Sequence, residues 1–381
     1  MKTKVLLFIL LIVGVAVKAQ AQAQVSEKGK YTYLGQIDEL MKDVPSYWKT
    51  GLDDIEKTVA SVKKGRVELL CMSAGNRPVY SIFYGKPNEL NRKANLSSAM
   101  GAGNMGYYAD KSSPDYRPTL FLVGAVHGGE LEGTAALVNL VSVLETGRDL
   151  KGKEYPVITA SAEEMNFIII LCANPDGRAR VPLASMVGLD YESFRYLSQG
   201  TWKDGTLAEW PGCKSIHPIK DAVEHLGAYF NDDGINMMHD LFFTHPAAET
   251  KAILQTAETM ASDFTVLFHG GANSKPHLAG VGYLFEQVKE EIREFQKFIA
   301  DEFIEENFSL GGNGVDESNT KSFNFTSAIT HVSGTPALTF ESNQGLNYLE
   351  EGKPWIVIHT YDEIYKHHML TIEGLCKFLL K

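Results

Sequence analysis

Short apolar runs recur along this sequence and are separated by longer amphipathic stretches. Each run has four to eight residues, which is the usual length of a β-strand. The runs cover residues 67–71, 79–84, 119–126, 167–172, 264–268 and 337–340. Strands that alternate with helices are typical of an α/β fold built on one sheet. Because the sequence contains no internal repeat and no low-complexity linker, one main domain is predicted rather than two.

The main domain is expected to span residues 66–381, with a helical segment before it at residues 24–65. Within that segment, apolar residues such as Ile37, Leu40 and Ile55 recur with helical spacing. The segment contains no pattern typical of a catalytic or binding site. We therefore expect it to pack against the main domain.

Residues 1–23 have the features of a secretory signal peptide. Lys2 and Lys4 precede an apolar run over residues 5–17, and small residues follow that run. The run of about 13 residues is shorter than the roughly 20 that a helix needs to cross a bilayer. We therefore predict export to the periplasm or the extracellular space, without stable membrane insertion. An uncleaved anchor is the alternative.

Charge and cysteine content restrict the possible partners and the kind of metal site. The chain has 36 Lys and Arg against 47 Asp and Glu, a formal net charge of −11. Such an acidic chain is not expected to bind nucleic acid or an anionic membrane surface. The four cysteines are widely scattered and form no C-x-x-C pair. A zinc site in this chain would therefore use histidine and carboxylate ligands.

A first pair of candidate metal ligands follows the apolar run at residues 119–126. The next residues are His127, two glycines and Glu130, and a helical pattern comes after them. The glycines allow the backbone to turn sharply, so an imidazole and a carboxylate can close on one ion. Catalytic zinc commonly has two histidines and one glutamate as ligands, with the fourth position left to water. A hydrogen-bonded surface histidine is the alternative for His127.

A third candidate ligand is His269, which follows the apolar run at residues 264–268 and precedes two glycines. In open α/β sheets, ligands bind beyond the carboxyl ends of the strands. Two strands that each end in His-Gly would bring their imidazoles to the same edge of the sheet. This convergence favours a metal site formed by His127, Glu130 and His269 over two unrelated loop histidines.

A candidate general base, Glu341, follows the apolar run at residues 337–340. A carboxylate at the end of a strand is often only a solvated side chain or an ion-pair partner. Beside a metal site, however, such a carboxylate can take a proton from the attacking water and pass it to the leaving nitrogen. We therefore predict that Glu341 is the base.

These residues together resemble the zinc carboxypeptidase (carboxypeptidase A-like) family. The matching features are His127-x-x-Glu130, Asn-Pro-Asp-Gly at residues 174–177, His269 and Thr-Phe-Glu ending at Glu341. The resemblance implies a mixed eight-stranded sheet flanked by helices, the phosphorylase/hydrolase-like α/β architecture. It also implies one Zn²⁺ ion and the hydrolysis of a peptide or amide bond. Residues 66–381 would then be the catalytic domain.

The chain departs from the family at residues 229–239. Many members have Arg-x-Asn-x-x-Gly-x-Asp-x-Asn-Arg there, whereas this chain has Tyr229 and His239 at the two arginine positions. Tyr229, Asn236 and His239 are predicted to line the substrate site. An imidazole is a poor substitute for a bidentate guanidinium group. Recognition of a free terminal carboxylate is therefore not expected from the usual residues.

Replacement donors for the oxyanion of the reaction are expected among nearby arginines. Arg178 and Arg180 follow the Asn-Pro-Asp-Gly motif, and Arg195 lies in the long segment after it. We favour Arg180 for its reach and keep Arg178 as the second candidate. Each of them could instead be a structural arginine paired with a carboxylate.

The sequence therefore predicts an exported, zinc-dependent hydrolase of peptide or amide bonds, with water activated by zinc and Glu341. One alternative is an amidase or deacylase that acts on cell-wall peptides or small acylated amines. Another is a non-catalytic protein that binds zinc or a peptide, although binding alone would not require Glu341. The sequence indicates no particular oligomeric state.

Overall fold

The computed structural model describes residues 33–381, and the predicted signal peptide at residues 1–23 lies outside them. Within residues 33–381 there are ten strands. They are β1 (Arg66–Met72), β2 (Pro78–Tyr84), β3 (Thr119–Gly124), β4 (Asn166–Ile170), β5 (Gly200–Trp202), β6 (Val223–Leu226), β7 (Phe264–Gly270), β8 (His277–Ala279), β9 (Gly311–Gly312) and β10 (Ala337–Ser342).

Helices connect most of these strands. They are α1 (Tyr33–Lys42), α2 (Leu52–Ser61), α3 (Leu96–Gly101), α4 (Glu132–Thr146), α5 (Pro156–Ser161), α6 (Pro175–Ala179), α7 (Tyr191–Ser198), α8 (Ala248–Met260), α9 (Glu286–Glu305), α10 (Phe325–Ser333) and α11 (Tyr361–Leu379). Among the residues described, no helix is long and apolar enough to cross a membrane.

Eight strands form one mixed sheet in the order β1-β2-β4-β3-β7-β10-β8-β9. The central strands β4, β3, β7 and β10 are parallel to one another. At one side of the sheet, β1 and β2 run antiparallel to their neighbours; at the other side, β8 runs antiparallel to β10 and parallel to β9. The predicted mixed eight-stranded sheet flanked by helices is confirmed. Strands β5 and β6 form a separate antiparallel ribbon.

Both faces of the central sheet are covered by helices. Every residue of β3, β4 and β7 is buried, as expected for parallel strands with helices on both sides. On β3, Leu120 and Leu122 pack with the apolar residues of α4, α9 and α11. Phe121 and Val123 face the other side and pack with α8 and α10. The period-2 alternation of a strand therefore supplies both halves of the core.

The parallel strands bring the predicted site residues to one edge of the sheet. His127 follows β3, while His269 and Glu341 are the penultimate residues of β7 and β10. The run predicted to extend to residue 126 ends as a strand at Gly124. Ala125 adopts a left-handed φ of 48°, which turns the chain out of the sheet before His127.

Candidate metal centre

The three predicted ligands converge in the structure. One nitrogen or oxygen atom from each of His127, Glu130 and His269 lies within 4.8 Å of the others, and all three residues are buried. Nδ1 of His127 is 2.8 Å from one carboxylate oxygen of Glu130, and Nδ1 of His269 is 2.7 Å from the other. Two imidazole nitrogens thus face one carboxylate, one from the loop after β3 and the other from β7.

The amide of Asn236 determines which nitrogen of His127 carries the proton. Its Oδ1 accepts a hydrogen bond from the backbone N–H of Met238 at 2.9 Å, which fixes the orientation of the amide. The same Oδ1 is 3.1 Å from Nε2 of His127, so Nε2 must be the donor. Burial lowers the pKa of His127, which favours the neutral ring. Its Nδ1 therefore presents a lone pair to Glu130.

This arrangement fits a bound cation better than a hydrogen bond. A lone pair on Nδ1 of His127 and a carboxylate oxygen at 2.8 Å are both acceptors, and a positive ion between them removes their repulsion. The other oxygen of Glu130 is buried and has no hydrogen-bond partner of good geometry, although His269 is close. Two nitrogens and one carboxylate are a donor set that zinc prefers. His127 also donates its other N–H to an amide oxygen, as metal-bound histidines usually do.

Close backbone packing holds the loop that carries His127 and Glu130. The N–H of Gly128 donates to the carbonyl of Ala228 at 2.8 Å. A Cβ on Gly128 would overlap the backbone nitrogen of Arg178, and a Cβ on Gly177 would overlap the carbonyl of Ala228. Asn174 begins α6 and accepts from the N–H of Gly177 at 2.8 Å. The Asn-Pro-Asp-Gly motif therefore supports the metal loop through its backbone.

Glu341 lies beside the metal cluster. It is the register partner of His269 on the neighbouring parallel strand. Burial raises the pKa of Glu341 above its ordinary value, and the negative charge of Glu130 adds to this rise, whereas His269 opposes it. A carboxylate with a raised pKa is a better proton acceptor than an ordinary glutamate. Glu341 therefore lies beside the candidate ligand His269 with a pKa above its ordinary value.

Tyr229 covers one side of the cluster. Its ring stacks on that of His127, with 3.5 Å between the centroids and 11° between the planes. Burial keeps the pKa of its phenol well above the ordinary value, and the charges of Glu130 and Glu341 act in the same direction. The hydroxyl is therefore neutral and can donate a hydrogen bond to an oxygen in the site. Tyr229 therefore lies against the candidate metal ligand His127, and its role in substrate binding stays a prediction.

His239 is the residue predicted to stand in place of a carboxylate-binding arginine. Its Nδ1 lies 3.3 Å from the Oγ of Ser322. Burial lowers the pKa of His239 to about 4, and the nearby Lys214 contributes to this shift. The imidazole is therefore uncharged at neutral pH. A neutral ring cannot replace the ionic contact that a guanidinium group makes with a carboxylate.

The structure does not bring the candidate arginines to the cluster. The guanidinium of Arg178 is buried and donates to the backbone carbonyls of Thr50, Val181 and Leu183. Arg180 forms an ion pair with Asp232 and donates to two further carbonyls. The oxyanion role expected for Arg180, and secondarily for Arg178, is therefore not supported. Their guanidinium N–H groups already donate to backbone carbonyls and, for Arg180, to Asp232.

Arg195 is likewise engaged elsewhere, in an ion pair with Glu209. Asn236 has a clearer relation to the candidate metal site than the sequence suggested. It was expected to line the substrate site, and its Oδ1 lies 3.1 Å from Nε2 of the candidate ligand His127. This contact joins residues that are far apart in the chain, so no local sequence pattern reveals it.

Comparison with known proteins finds a related sequence family and solved structures with a similar fold. Residues 58–185 match the sequence model of a family described as zinc carboxypeptidase, a range that includes His127 and Glu130. A metallo-carboxypeptidase from Burkholderia cenocepacia is similar in structure, with a TM-score of 0.54 and 14% identity over 86% of this chain and 68% of that chain. No curated protein matches the sequence.

Two further solved structures have the same fold. One is the carboxypeptidase A of Helicoverpa armigera, with a TM-score of 0.51 and 12% identity over 91% of this chain and 79% of that chain. The other is a metallo-carboxypeptidase from Pseudomonas aeruginosa in complex with (2-guanidinoethylmercapto)succinic acid. Its TM-score is 0.51, with 12% identity over 86% of this chain and 69% of that chain.

Proposed function

We propose that this chain is a zinc metallopeptidase that hydrolyses peptide or amide bonds, with Glu341 as general base. The match of residues 58–185 to the zinc carboxypeptidase family model and the similarity in fold to a metallo-carboxypeptidase support the proposal. The metal ligands in this proposal are His127, Glu130 and His269, which would hold one Zn²⁺ ion. The hydrogen bond between Nε2 of His127 and Oδ1 of Asn236 supports the proposal most directly, because it leaves the lone pair of Nδ1 facing Glu130.

Each residue of the proposed site has a separate role in the reaction. When bound, zinc would polarise the scissile carbonyl and lower the pKa of water. Glu341 takes the proton from the attacking water and delivers it to the nitrogen of the leaving group. Its raised pKa suits both halves of that transfer, since the same carboxyl must accept a proton and then give it up. The neutral phenol of Tyr229 donates a hydrogen bond to the reacting oxygen.

The neutral state of His239 favours substrates that do not depend on a terminal carboxylate. Neither Arg178 nor Arg180 reaches the cluster, so no arginine of this motif region supplies an ionic clamp. An amidase or deacylase acting on cell-wall peptides or small acylated amines is therefore the second candidate function. Both candidates use the same metal ligands and the same base, and they differ in what lies beyond the scissile bond.

The test compares one peptide library in two forms, with a free and with an amidated C-terminus. Products are identified by mass spectrometry before zinc removal, after removal and after zinc is restored, and Glu341→Gln serves as the inactive control. Zinc-dependent loss of terminal residues from the free form alone would establish a carboxypeptidase. Comparable cleavage of both forms would establish an amidase or endopeptidase. Absence of cleavage of either form and of cell-wall fragments would overturn the proposed hydrolase function.

We also propose that the protein is exported. The proposal rests on the basic and apolar pattern of residues 1–23. Expression of the full chain followed by N-terminal sequencing of the protein outside the cytoplasm tests it. A mature N-terminus just after the small residues that follow position 17 would support export, and recovery of the intact chain in the cytoplasm alone would contradict it.

A further inference from the structure

The stretch of chain after β6 contacts the metal loop at three points. The carbonyl of Ala228 accepts a hydrogen bond from the N–H of Gly128 at 2.8 Å. The ring of Tyr229 stacks on that of His127, with 3.5 Å between the centroids. Further along, Oδ1 of Asn236 lies 3.1 Å from Nε2 of His127. The position of His127 therefore depends on the conformation of this stretch.

One arginine side chain holds the first half of this stretch, which we call segment 227–236. The segment contains no helix or strand, so its shape depends on contacts from outside it. The guanidinium of Arg180 donates to the carbonyl of Gly227 at 3.2 Å and also to the carbonyl of Phe230. These two carbonyls lie on either side of Tyr229 in the chain. Because one planar group binds both, the turn that carries Tyr229 has a fixed position.

A network of four charged side chains holds the second half of the segment. Arg180 forms an ion pair with one carboxylate oxygen of Asp232, and the other oxygen accepts from Arg77 at 2.8 Å. The same nitrogen of Arg77 donates to Asp176 of α6, also at 2.8 Å. Asp176 in turn accepts from the backbone N–H of Asp232 at 3.1 Å. Two arginines and two aspartates thus join α6 to the segment, and their charges balance.

Arg180 is the member of this network whose loss would affect the segment most. Its side chain is only 20% exposed. Burial lowers the pKa of Arg180 and Asp232 opposes this shift, but an arginine in a protein keeps its charge near neutral pH. Without the guanidinium, two backbone carbonyls and one carboxylate would each lose a donor. Such groups are costly to leave without a partner, so the segment would shift to find others.

We propose that Arg180 is a positioning residue, which holds segment 227–236 so that Tyr229 and Asn236 keep their contacts with His127. The inference rests on the proposed function, in which His127 binds zinc and the hydroxyl of Tyr229 donates to the reacting oxygen. Arg180 itself contacts neither zinc nor substrate in this account. The side chain predicted to bind the oxyanion thus acts through the tyrosine that stands in place of the family's arginine.

Three variants of the full chain test the inference by kinetics at saturating zinc. Arg180→Met removes the donors, and Arg180→Lys keeps the charge. Arg117→Met is the matched control, because Arg117 also donates to two backbone carbonyls, those of Ala162 and Glu163, but lies before β3, at the end opposite His127. We expect kcat to fall about 100-fold in Arg180→Met with little change in KM, the cost of a misplaced reacting group. Arg180→Lys should recover part of the rate, and Arg117→Met should keep the wild-type kcat.

Zinc affinity gives a second measurement, which does not depend on turnover. In competition with a chelator, Arg180→Met should bind Zn²⁺ about 10-fold more weakly than wild type, as for other groups that orient a metal ligand. Double-mutant cycles then separate positioning from general stability. Adding Arg180→Met to Asn236→Ala should lower zinc affinity much less than it does in wild type. Adding it to Tyr229→Phe should likewise lower kcat much less, because the contact through which it acts is already gone.

Asp232→Asn tests the same network if Arg180→Met does not fold. The change keeps the size of the side chain and removes its charge, so zinc affinity and kcat should both fall, by less than in Arg180→Met.

Other outcomes would overturn the inference. Unchanged zinc affinity and kcat in folded Arg180→Met, or in Asp232→Asn where the former does not fold, would show that the network does not position His127. Equal losses in Arg117→Met, or fully additive effects in both cycles, would reduce Arg180 to a contributor to general stability. A zinc-loaded wild-type protein that cleaves no peptide or amide would instead contradict the proposed hydrolase function, and the zinc affinities would still judge Arg180.

Discussion

Glu341 and His269 are register partners on adjacent parallel strands, β10 and β7. Directly paired residues in a sheet present their side chains on the same face, close to one another. The proposed base and one proposed metal ligand are thus held at a fixed separation by the sheet itself and not by a loop. The geometry required for proton transfer is therefore built into the most buried part of the fold.

The pairing predicts that the base can be removed without loss of the metal. We expect Glu341→Gln to keep one zinc per chain and to lose about 100-fold to 10,000-fold in kcat, since an amide cannot accept the proton. Zinc content by mass spectrometry and initial rates on a cleavable peptide check this. Glu294→Gln, at an exposed position on α9, is the matched control. Full activity of Glu341→Gln with bound zinc would assign the base elsewhere.

Removal of either histidine ligand should abolish zinc binding. His127→Ala and His269→Ala each leave two ligands at a buried site, which is too few to hold the ion after dialysis. We expect zinc content to fall from one ion per chain to near zero in both variants. His245→Ala, which removes an exposed histidine outside the cluster, should retain one ion. Unchanged zinc content in either ligand variant would contradict the assignment.

Asn236 should affect metal affinity through His127. Asn236→Ala removes the oxygen that accepts from Nε2, so the ring can change tautomer and present N–H to the metal side. We expect zinc affinity to fall about 10-fold to 100-fold, as for other groups that orient a metal ligand. Asn236→Asp keeps the acceptor and should bind zinc at least as tightly as wild type. Equal losses in the two variants would show a packing effect and not one on the tautomer.

The mixed sheet and the convergence of His127, Glu130 and His269 could be predicted from the sequence because each depends on a local pattern. His127 lies shortly after β3, and His269 and Glu341 lie near the carboxyl ends of β7 and β10. Parallel strands bring such positions to one edge of the sheet. The arginines could not be placed in this way. Their side chains are directed by carbonyl groups of distant residues such as Thr50, which no local pattern reveals.

The same limit applies to Asn236. Its contact with His127 depends on an amide orientation that is fixed by the backbone of Met238. This contact joins two segments that are far apart in the chain. Sequence spacing therefore indicates the candidate metal ligands and misses a residue that orients one of them.

Gly128 should be essential for the geometry of the metal loop. A Cβ at this position would overlap the backbone nitrogen of Arg178, and a backbone atom cannot move aside as a flexible side chain can. We expect Gly128→Ala to lower the free energy of unfolding by about 3 kcal/mol, at the upper end for overpacked sites. It should also weaken zinc binding. Urea unfolding with Gly101→Ala as control checks this, because a Cβ on Gly101 meets open space.

A smaller loss of unfolding free energy would mean that Gly128 is not closely packed against α6. If Gly128→Ala were as stable as Gly101→Ala, the loop would have room to shift away from α6. Retention of zinc together with a large loss of stability would separate the packing role from the metal role. Both quantities should therefore be measured on the same preparation.

Buried histidines on α11 should make the fold sensitive to acid. His368 is fully buried, and its ring lies 5.2 Å from those of Phe268 and Phe340. Burial lowers its pKa to about 4, although Nδ1 contacts the carbonyl of Ile364. Its neighbour His367 is also buried, and burial lowers the pKa of that ring to about 3. Both rings are therefore neutral in the folded protein well below the pH at which an unfolded histidine gains a proton.

The expected effect has a definite sign. Because the folded pKa of His368 lies below the unfolded value of about 6.5, its contribution to stability is complete above that pH and is lost as the pH falls towards 4. We expect the free energy of unfolding in urea to drop between pH 7 and pH 4.5 by about 2 kcal/mol less in His368→Phe than in wild type. Exposed His245→Gln should leave the wild-type drop unchanged. An equal drop in His368→Phe and wild type would show that His368 does not remain neutral when the rest of the protein is folded, and the acid sensitivity would then belong to other groups.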